Sequence, residues 1–208
     1  MGGTVTYAVA NDRPEVFNRA ELERQLWYGE VTGVFLNPTA RRRDFGPTNP
    51  FDNRFTLVTD RTVAQFLPLG DIKFLDLSGS RISDHSAKLL PHFQRLESLN
   101  LAGTLITDDG LSTLPKLECL RSLDLSDVSI TDRGLEHVSR CRNLETLTIS
   151  ITRQCDGWLS RRNAITNDGI LALTRISTLK RVDVRGRRLS ERTLSAFRQP
   201  SPTYIMVR

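Results

Sequence analysis

Residues 96–114 read LESLNLAGTLITDDGLSTL and residues 120–138 read LRSLDLSDVSITDRGLEHV, the same pattern displaced by 24 positions. Each copy opens with Leu-x-x-Leu-x-Leu and runs on into Ile-Thr-Asp-x-Gly-Leu. The opening recurs at Ile72 and Leu144, so the register holds from Ile72 to Ser150. A period of this size marks stacked supersecondary units, because one unit cannot bury its own apolar face and its neighbours must close the core. The period therefore predicts a solenoid that acts through a shaped surface, and catalysis is not expected of it.

Aligned on the period, the inward strand positions are Ile72, Leu75 and Leu77; Leu96, Leu99 and Leu101; Leu120, Leu123 and Leu125; and Leu144, Leu147 and Ile149. The last two of each set are two residues apart, the spacing of a short strand with one buried face. Ile82, Ile106 and Ile130 follow, each trailed by Ser or Thr and then Asp. This predicts a helix start: the hydroxyl caps free backbone N–H groups, the Asp complements the helix dipole, and the Ile staples to Ala87, Leu111 or Leu135. Leu90, Leu114 and Val138, then Phe93, Leu117 and Cys141, extend a helical stripe toward the strands.

Working outward, Val31, Val34 and Leu36 repeat the strand signature, but the matching Val58, Thr59 and Asp60 arrive late, followed by Val63, Phe66 and Leu69. Downstream, Ile165, Thr166 and Asn167 are likewise delayed relative to the strand at Leu144. Both insertions, near 40–57 and 151–164, fall between strand and helix and must emerge on the same edge. Residues 1–30 read as an amino-terminal cap: TVTYAV is a leading strand, and Asn18 with Glu21 forms a capping box beside Phe17, Leu22 and Leu26. Residues 31–199 carry the repeats, the last with Leu179, Val182, Val184, Leu189, Ser190, Leu194 and Phe197. Pro200 and Pro202 end the helix, and 200–208 supply a closing strand through Ile205 and Val207. The 208 residues are expected to form a single domain.

No apolar run reaches the ~20 residues of a membrane span, and no signal-peptide core is visible at the amino terminus. With three cysteines in no framework spacing, Cys119 at a repeat junction, Cys141 in the apolar helix column and Cys155 in an insertion, the thiols read as reduced and the location as cytoplasmic. The net charge of +5 is uneven: residues 151–208 carry 12 basic and four acidic side chains. Such a field steers acidic partners or polyanions. It is equally well explained as a solvated, arginine-rich end, and no nucleic-acid motif accompanies it, so nucleic acid is disfavoured.

The repeats resemble leucine-rich repeats, in particular those with Leu-x-x-Leu-x-Leu followed by Ile-Thr-Asp-x-Gly-Leu, found in bacterial proteins and F-box proteins. The resemblance covers most of residues 31–208 and implies an α/β horseshoe with parallel strands on the concave face and helices on the convex face. For function it implies a protein-binding scaffold. In the polar position three after the last strand Leu, where the family places Asn, Cys or Thr, Thr39, Ser80 and Thr104 fit, while Val128 and Arg187 depart. There the side-chain bond to neighbouring backbone must be replaced. Residues 1–30 show no F-box pattern.

The concave face is expected to be small and polar through Asp76, Asn100, Asp124, Thr148 and Asp183 with their Ser, Thr and Ala neighbours. Its ends differ. Phe35 and Phe74 stand at one, Arg181 and Arg185 at the other, with Arg187 and Arg188 beyond. The insertions add Arg41, Arg42, Arg43 and Phe45, then Trp158, Arg161 and Arg162, residue types enriched at binding hot spots. These thirteen residues are the candidate partner-binding set for a protein, acidic where arginines engage it. The alternatives are polyanion binding through the Arg-rich end, or a substrate-recognition part of a larger enzyme complex. The Asp column is explained by capping, and His85, His92 and His137 are scattered, so no metal, cofactor or catalytic constellation is expected.

Overall fold

The computed structural model describes residues 5–8, 31–35, 58–67, 70–150, 164–186, 188–197 and 204–207. Eight strands form one parallel sheet in chain order: β1 (Val5–Ala8), β2 (Val31–Phe35), β3 (Phe74–Asp76), β4 (Ser98–Asn100), β5 (Ser122–Asp124), β6 (Thr146–Ser150), β7 (Arg181–Arg185) and β8 (Tyr204–Val207). Parallel neighbours need a crossover, and the crossovers carry α1 (Asp60–Gln65), α2 (Asp84–Ala87), α3 (Asp108–Leu111), α4 (Asp132–Val138), α5 (Asn167–Ala172) and α6 (Glu191–Ala196). The leading and closing strands expected from TVTYAV and from Ile205 with Val207 are β1 and β8. The amino-terminal helix around Asn18 lies outside the described residues.

The strand register follows the repeat: Leu75, Leu99, Leu123, Leu147 and Val182 are successive partners across β3 to β7. All five are buried, as are the Ile82, Ile106, Ile130 and Ile165 column and the Leu111, Leu114, Leu135 and Val138 positions, so a continuous aliphatic core lies between sheet and helices. The chain turns out of β3, β4, β5 and β7 through a left-handed residue at one column, occupied by Gly79 (φ 65°), Gly103 (φ 66°), Asp127 (φ 56°) and Gly186 (φ 81°). Glycine enters this region without a Cβ clash and Asp is among the few other residues that visit it. Beside it, Ser80 Oγ donates to Leu77 O (2.6 Å) and Thr104 Oγ1 to Leu101 O (2.7 Å). Val128, which cannot make that bond, is buried as part of the core.

The stripe through Leu90 and Phe93 predicts one short helix per repeat, and here the structure differs. Helices α2 and α3 stop after four residues, and a separate 3-10 turn follows at Leu90–His92 and Leu114–Lys116. Pro91 and Pro115 contribute to the early stop, since proline has no N–H to give the carbonyl four residues back; a 3-10 turn also follows α5 at Leu173–Arg175, where Thr174 stands at the proline position. The freed Ala87 carbonyl instead accepts Thr113 Oγ1 of the next repeat at 2.8 Å. Helix α4, with no proline at that point, runs for seven residues.

The Asp that recurs at this position of successive repeats does more than face a helix dipole. Asp84 accepts Thr107 N (2.8 Å) and Thr107 Oγ1 (2.7 Å); Asp108 accepts Thr131 N (2.8 Å) and Oγ1 (2.6 Å); Asp132 accepts Thr166 N (2.7 Å) and Oγ1 (2.6 Å). Each carboxylate thus clamps the cap residue of the following repeat. The same cap hydroxyls accept a backbone N–H of their own helix, His85 N on Ser83 and Arg133 N on Thr131 at 3.2 Å each.

This clamp explains the Gly of the repeat. A Cβ on Gly110, Gly134 or Gly169 would run into the Oδ1 of Asp84, Asp108 or Asp132, respectively. The outer repeats solve the same contact with a hydroxyl. Ser86 Oγ donates to Asp60 Oδ1 at 2.6 Å, and Thr193 Oγ1 donates to Asn167 Oδ1 at 3.0 Å. Asp60 has the fullest set: burial pushes its carboxyl up, but the Ser83 backbone, Ser86 side chain, Ser83 side chain and Ser86 backbone bonds together hold it below the ordinary carboxylate range.

Candidate interaction surface

On β3, β4 and β5 one buried Leu is flanked by two residues facing out of the core. Stacking the strands turns these flanks into rows. One row runs Phe74, Ser98, Ser122, Thr146, Arg181, and the next runs Asp76, Asn100, Asp124, Thr148, Asp183. Strand spacing puts neighbours in a row ~4.8 Å apart. In the second row, side chains also shape the exit turn: Asp76 Oδ1 accepts Ser78 N (2.9 Å), Asn100 Oδ1 accepts Ala102 N (3.0 Å) and Asp124 Oδ1 accepts Ser126 N (2.8 Å). One carboxylate oxygen of Asp76 and one of Asp124 are thereby used, and no ion pair neutralises either Asp among the described residues.

The face is chemically distinct at β3 and at β7. Phe74 is 42% exposed, with Gly33 and Ser98 as its register partners, so no bulky neighbour covers the ring along the row. On β7 Asp183 is only 5% exposed, because Arg185 closes over it: Nε and Nη2 reach Asp183 Oδ2 at 2.9 and 2.6 Å. Hydrogen bonding and charge from Asp183 raise the Arg185 guanidinium further above its already high ordinary value, and Asp124 adds to the effect across the face. Arg181 is exposed and makes no ion pair among the described residues.

Along the strand-entry rim, Lys73, Glu97, Arg121, Glu145 and Lys180 alternate in sign. Lys73 Nζ lies 3.4 Å from Glu97, and Glu145 bridges Arg121 (2.6 Å) and Lys180 (2.7 Å). Bonds from Lys180 and Arg121 hold the Glu145 carboxyl below its ordinary value. Exposed pairs of this kind contribute little stability each, but like charges opposite one another are avoided, which favours the observed register.

Of the thirteen candidate residues, the structure places Phe74 and Arg181 on the first row, Arg185 at the end of β7 opposite Ser150, and Phe35 in β2 opposite Asp76. Arg188 is exposed beyond β7. Arg41, Arg42, Arg43, Phe45, Trp158, Arg161, Arg162 and Arg187 lie outside the described residues. Arg185, a member of the candidate set, directs its fork at Asp183. That pairing is invisible in composition, although two residues of opposite charge at i and i+2 on one strand face are a usable signal.

Among the described residues no group of three His, Cys, Asp or Glu side chains gathers as a metal site, and no helix is long and apolar enough to cross a membrane. Cys119 is exposed and Cys141 buried, both unbridged; burial pushes the Cys141 thiol up to about 12. His85 and His92 are exposed, while His137 is half-buried with an Nε2 that finds no partner among the described residues.

A family model described as "Leucine Rich repeat" matches residues 94–114 and 116–139. Among solved structures, the chain is similar to internalin C2 from Listeria monocytogenes at 21% identity and a TM-score of 0.57, covering 87% of this chain and 63% of that one. It is also similar to a second internalin of that organism (inlF), at 14% identity and a TM-score of 0.51, covering 84% of this chain and 47% of that one. The chain thus spans less than two thirds of either, and at these identities the likeness concerns the fold. No curated protein sequence matches.

Proposed function

Leucine-rich repeats stacked into a solenoid offer an extended surface, and on that premise we propose that this protein is an interaction scaffold that holds a protein partner on its concave face. The supporting observation is the arrangement of that face: strands β4 to β6 are lined mainly by small polar side chains, and the flanking β3 and β7 carry an exposed aromatic, Phe74, and an uncommitted guanidinium, Arg181. Exposed aromatics and arginines are the residue types that dominate binding energy at interfaces. The two insertions extend this reading to a rim that includes Arg41, Arg42, Arg43, Phe45, Trp158, Arg161 and Arg162. The basic carboxyl-terminal segment, with Arg187 and Arg188, speeds approach of an acidic partner.

A block in the middle of the face tests the proposal. Ser122→Arg places a long charged side chain between Phe74 and Arg181, whereas Arg133→Ser alters the helix layer. Once a partner has been captured and purified, the first variant should abolish binding at an unchanged melting temperature and the second should bind normally. Normal binding by Ser122→Arg rejects the concave face. Trp158→Ala combined with Arg161→Ala examines the rim in the same assay.

A further inference from the structure

The order of chemistry along the concave rows is asymmetric, and it defines what can lie across them. Asp183 and Arg185 neutralise one another, which leaves Asp76 and Asp124 as the carboxylates and Arg181 as the guanidinium without an ion pair among the described residues of the face. Taken from β3 to β7, the row positions therefore present an aromatic ring beside a carboxylate on β3, a second carboxylate on β5 and a cation on β7. Between them stand Ser98, Ser122, Thr146 and Thr148, too short to obstruct a chain laid over the strands.

We propose that the concave face takes an extended peptide segment with an apolar residue on Phe74, a basic residue on Asp124 and an acidic residue on Arg181, in that order. This rests on the concave face being the binding surface. Two strand steps separate β3 from β5 and four separate β3 from β7, or about 10 and 19 Å at the usual strand spacing. An extended chain advances about 3.3 Å per residue, which puts the basic residue about three positions and the acidic residue about six positions after the apolar one. Charge complementarity fixes the polarity, since the reverse order sets acid against Asp124 and base against Arg181. Such like-charge contacts reject wrong partners more strongly than matched ones attract.

The test uses two synthetic peptides, acetyl-Phe-Ser-Ser-Lys-Ser-Ser-Glu-amide and its charge-swapped form acetyl-Phe-Ser-Ser-Glu-Ser-Ser-Lys-amide, titrated into the whole isotope-labelled chain while backbone amide shifts are followed. The first should bind about tenfold more tightly, as expected for a small number of partly exposed charge contacts. Its shifts should fall on Phe74, Asp124 and Arg181. Asp124→Asn should reduce the preference to the share that Arg181 supplies without unfolding the turn, because Asn100 holds the same turn one repeat earlier, and Phe74→Ala should weaken both peptides. Equal affinities with shifts on the face would overturn the ligand order while leaving the concave surface standing. Shifts confined to other surfaces would overturn the concave surface itself, and absence of binding by either peptide at millimolar concentration would overturn the proposed ligand.

Discussion

Replacing Gly134 with Ala should destabilise the protein, although alanine is the better helix former. Gly134 lies in α4, where the exchange alone would contribute about 0.8–1 kcal/mol of stability through helix propensity. An added Cβ, however, would meet Asp108 Oδ1 well inside contact, with Leu111 Cδ1 at 3.1 Å and Ile130 Cβ at 3.2 Å leaving little room to move away. The Asp108 carboxylate has to swing aside, loosening its bonds to Thr131 N (2.8 Å) and Thr131 Oγ1 (2.6 Å). Hydrogen bonds to charged groups contribute about 1.5–3 kcal/mol each. Offset by propensity, losing one gives a net loss of about 0.5–2 kcal/mol and losing both about 2–5 kcal/mol. Urea unfolding measures it as a lower midpoint at constant slope. The decisive arm is the double variant: with Asp108→Ala already present there is no carboxylate to displace, so Gly134→Ala should become stabilising by up to about 1 kcal/mol. Gly134→Ser should recover part of the loss by donating to Asp108, as Ser86 does to Asp60. A Gly134→Ala effect that is neutral, or equal in the two backgrounds, refutes the clamp.

Leu123→Ala, at a fully buried central position of the sheet, should cost about 2–5 kcal/mol by opening a cavity, and a near-neutral melting shift would contradict the register. Asp60, whose folded carboxyl titrates below its unfolded value of 3.8, contributes stability that is fully present above the unfolded value and lost as pH falls through the folded one. Asp60→Asn should therefore flatten the drop in melting temperature below about pH 4; an unchanged acid profile would sink this assignment. Peptide mapping after brief alkylation at neutral pH should find Cys119 modified and Cys141 untouched until the protein unfolds, given the burial that pushes the Cys141 thiol up to about 12. Early labelling of Cys141 would show that its repeat opens locally.

The core and strand order were legible in the sequence because they depend on spacing along the chain. Leu99, Leu123 and Leu147 share a column for the same reason that they share a buried face. Helix caps were legible too, since Thr107 and Thr131 act on residues two positions away. What escaped were interactions between repeats. Asp108 reads naturally as a partner of its own helix dipole, and only stacking reveals that its oxygens belong to Thr131 and that Gly134 is small because Asp108 is there. The break after α2 was available in Pro91, which the apolar stripe through Leu90 and Phe93 outweighed. The place of Phe74 in its row follows from the spacing, but the Arg185–Asp183 closure required the side-chain geometry.

The clamp between Asp132 and Thr166 spans 34 positions in sequence, against 23 for the one between Asp108 and Thr131, yet its bonds have nearly the same lengths. The strand-to-helix junction therefore behaves as a socket whose two walls are positioned by the neighbouring repeat, indifferent to how much chain is threaded between them. Lengthening a loop that is already closed costs little, about 0.6 kcal/mol for each doubling. Heritable novelty can accumulate at this junction without renegotiating the core. For protein engineering, it is the place in each repeat where a foreign recognition loop could be grafted, provided that the Asp, the hydroxyl cap and the facing Gly are carried over together as a unit.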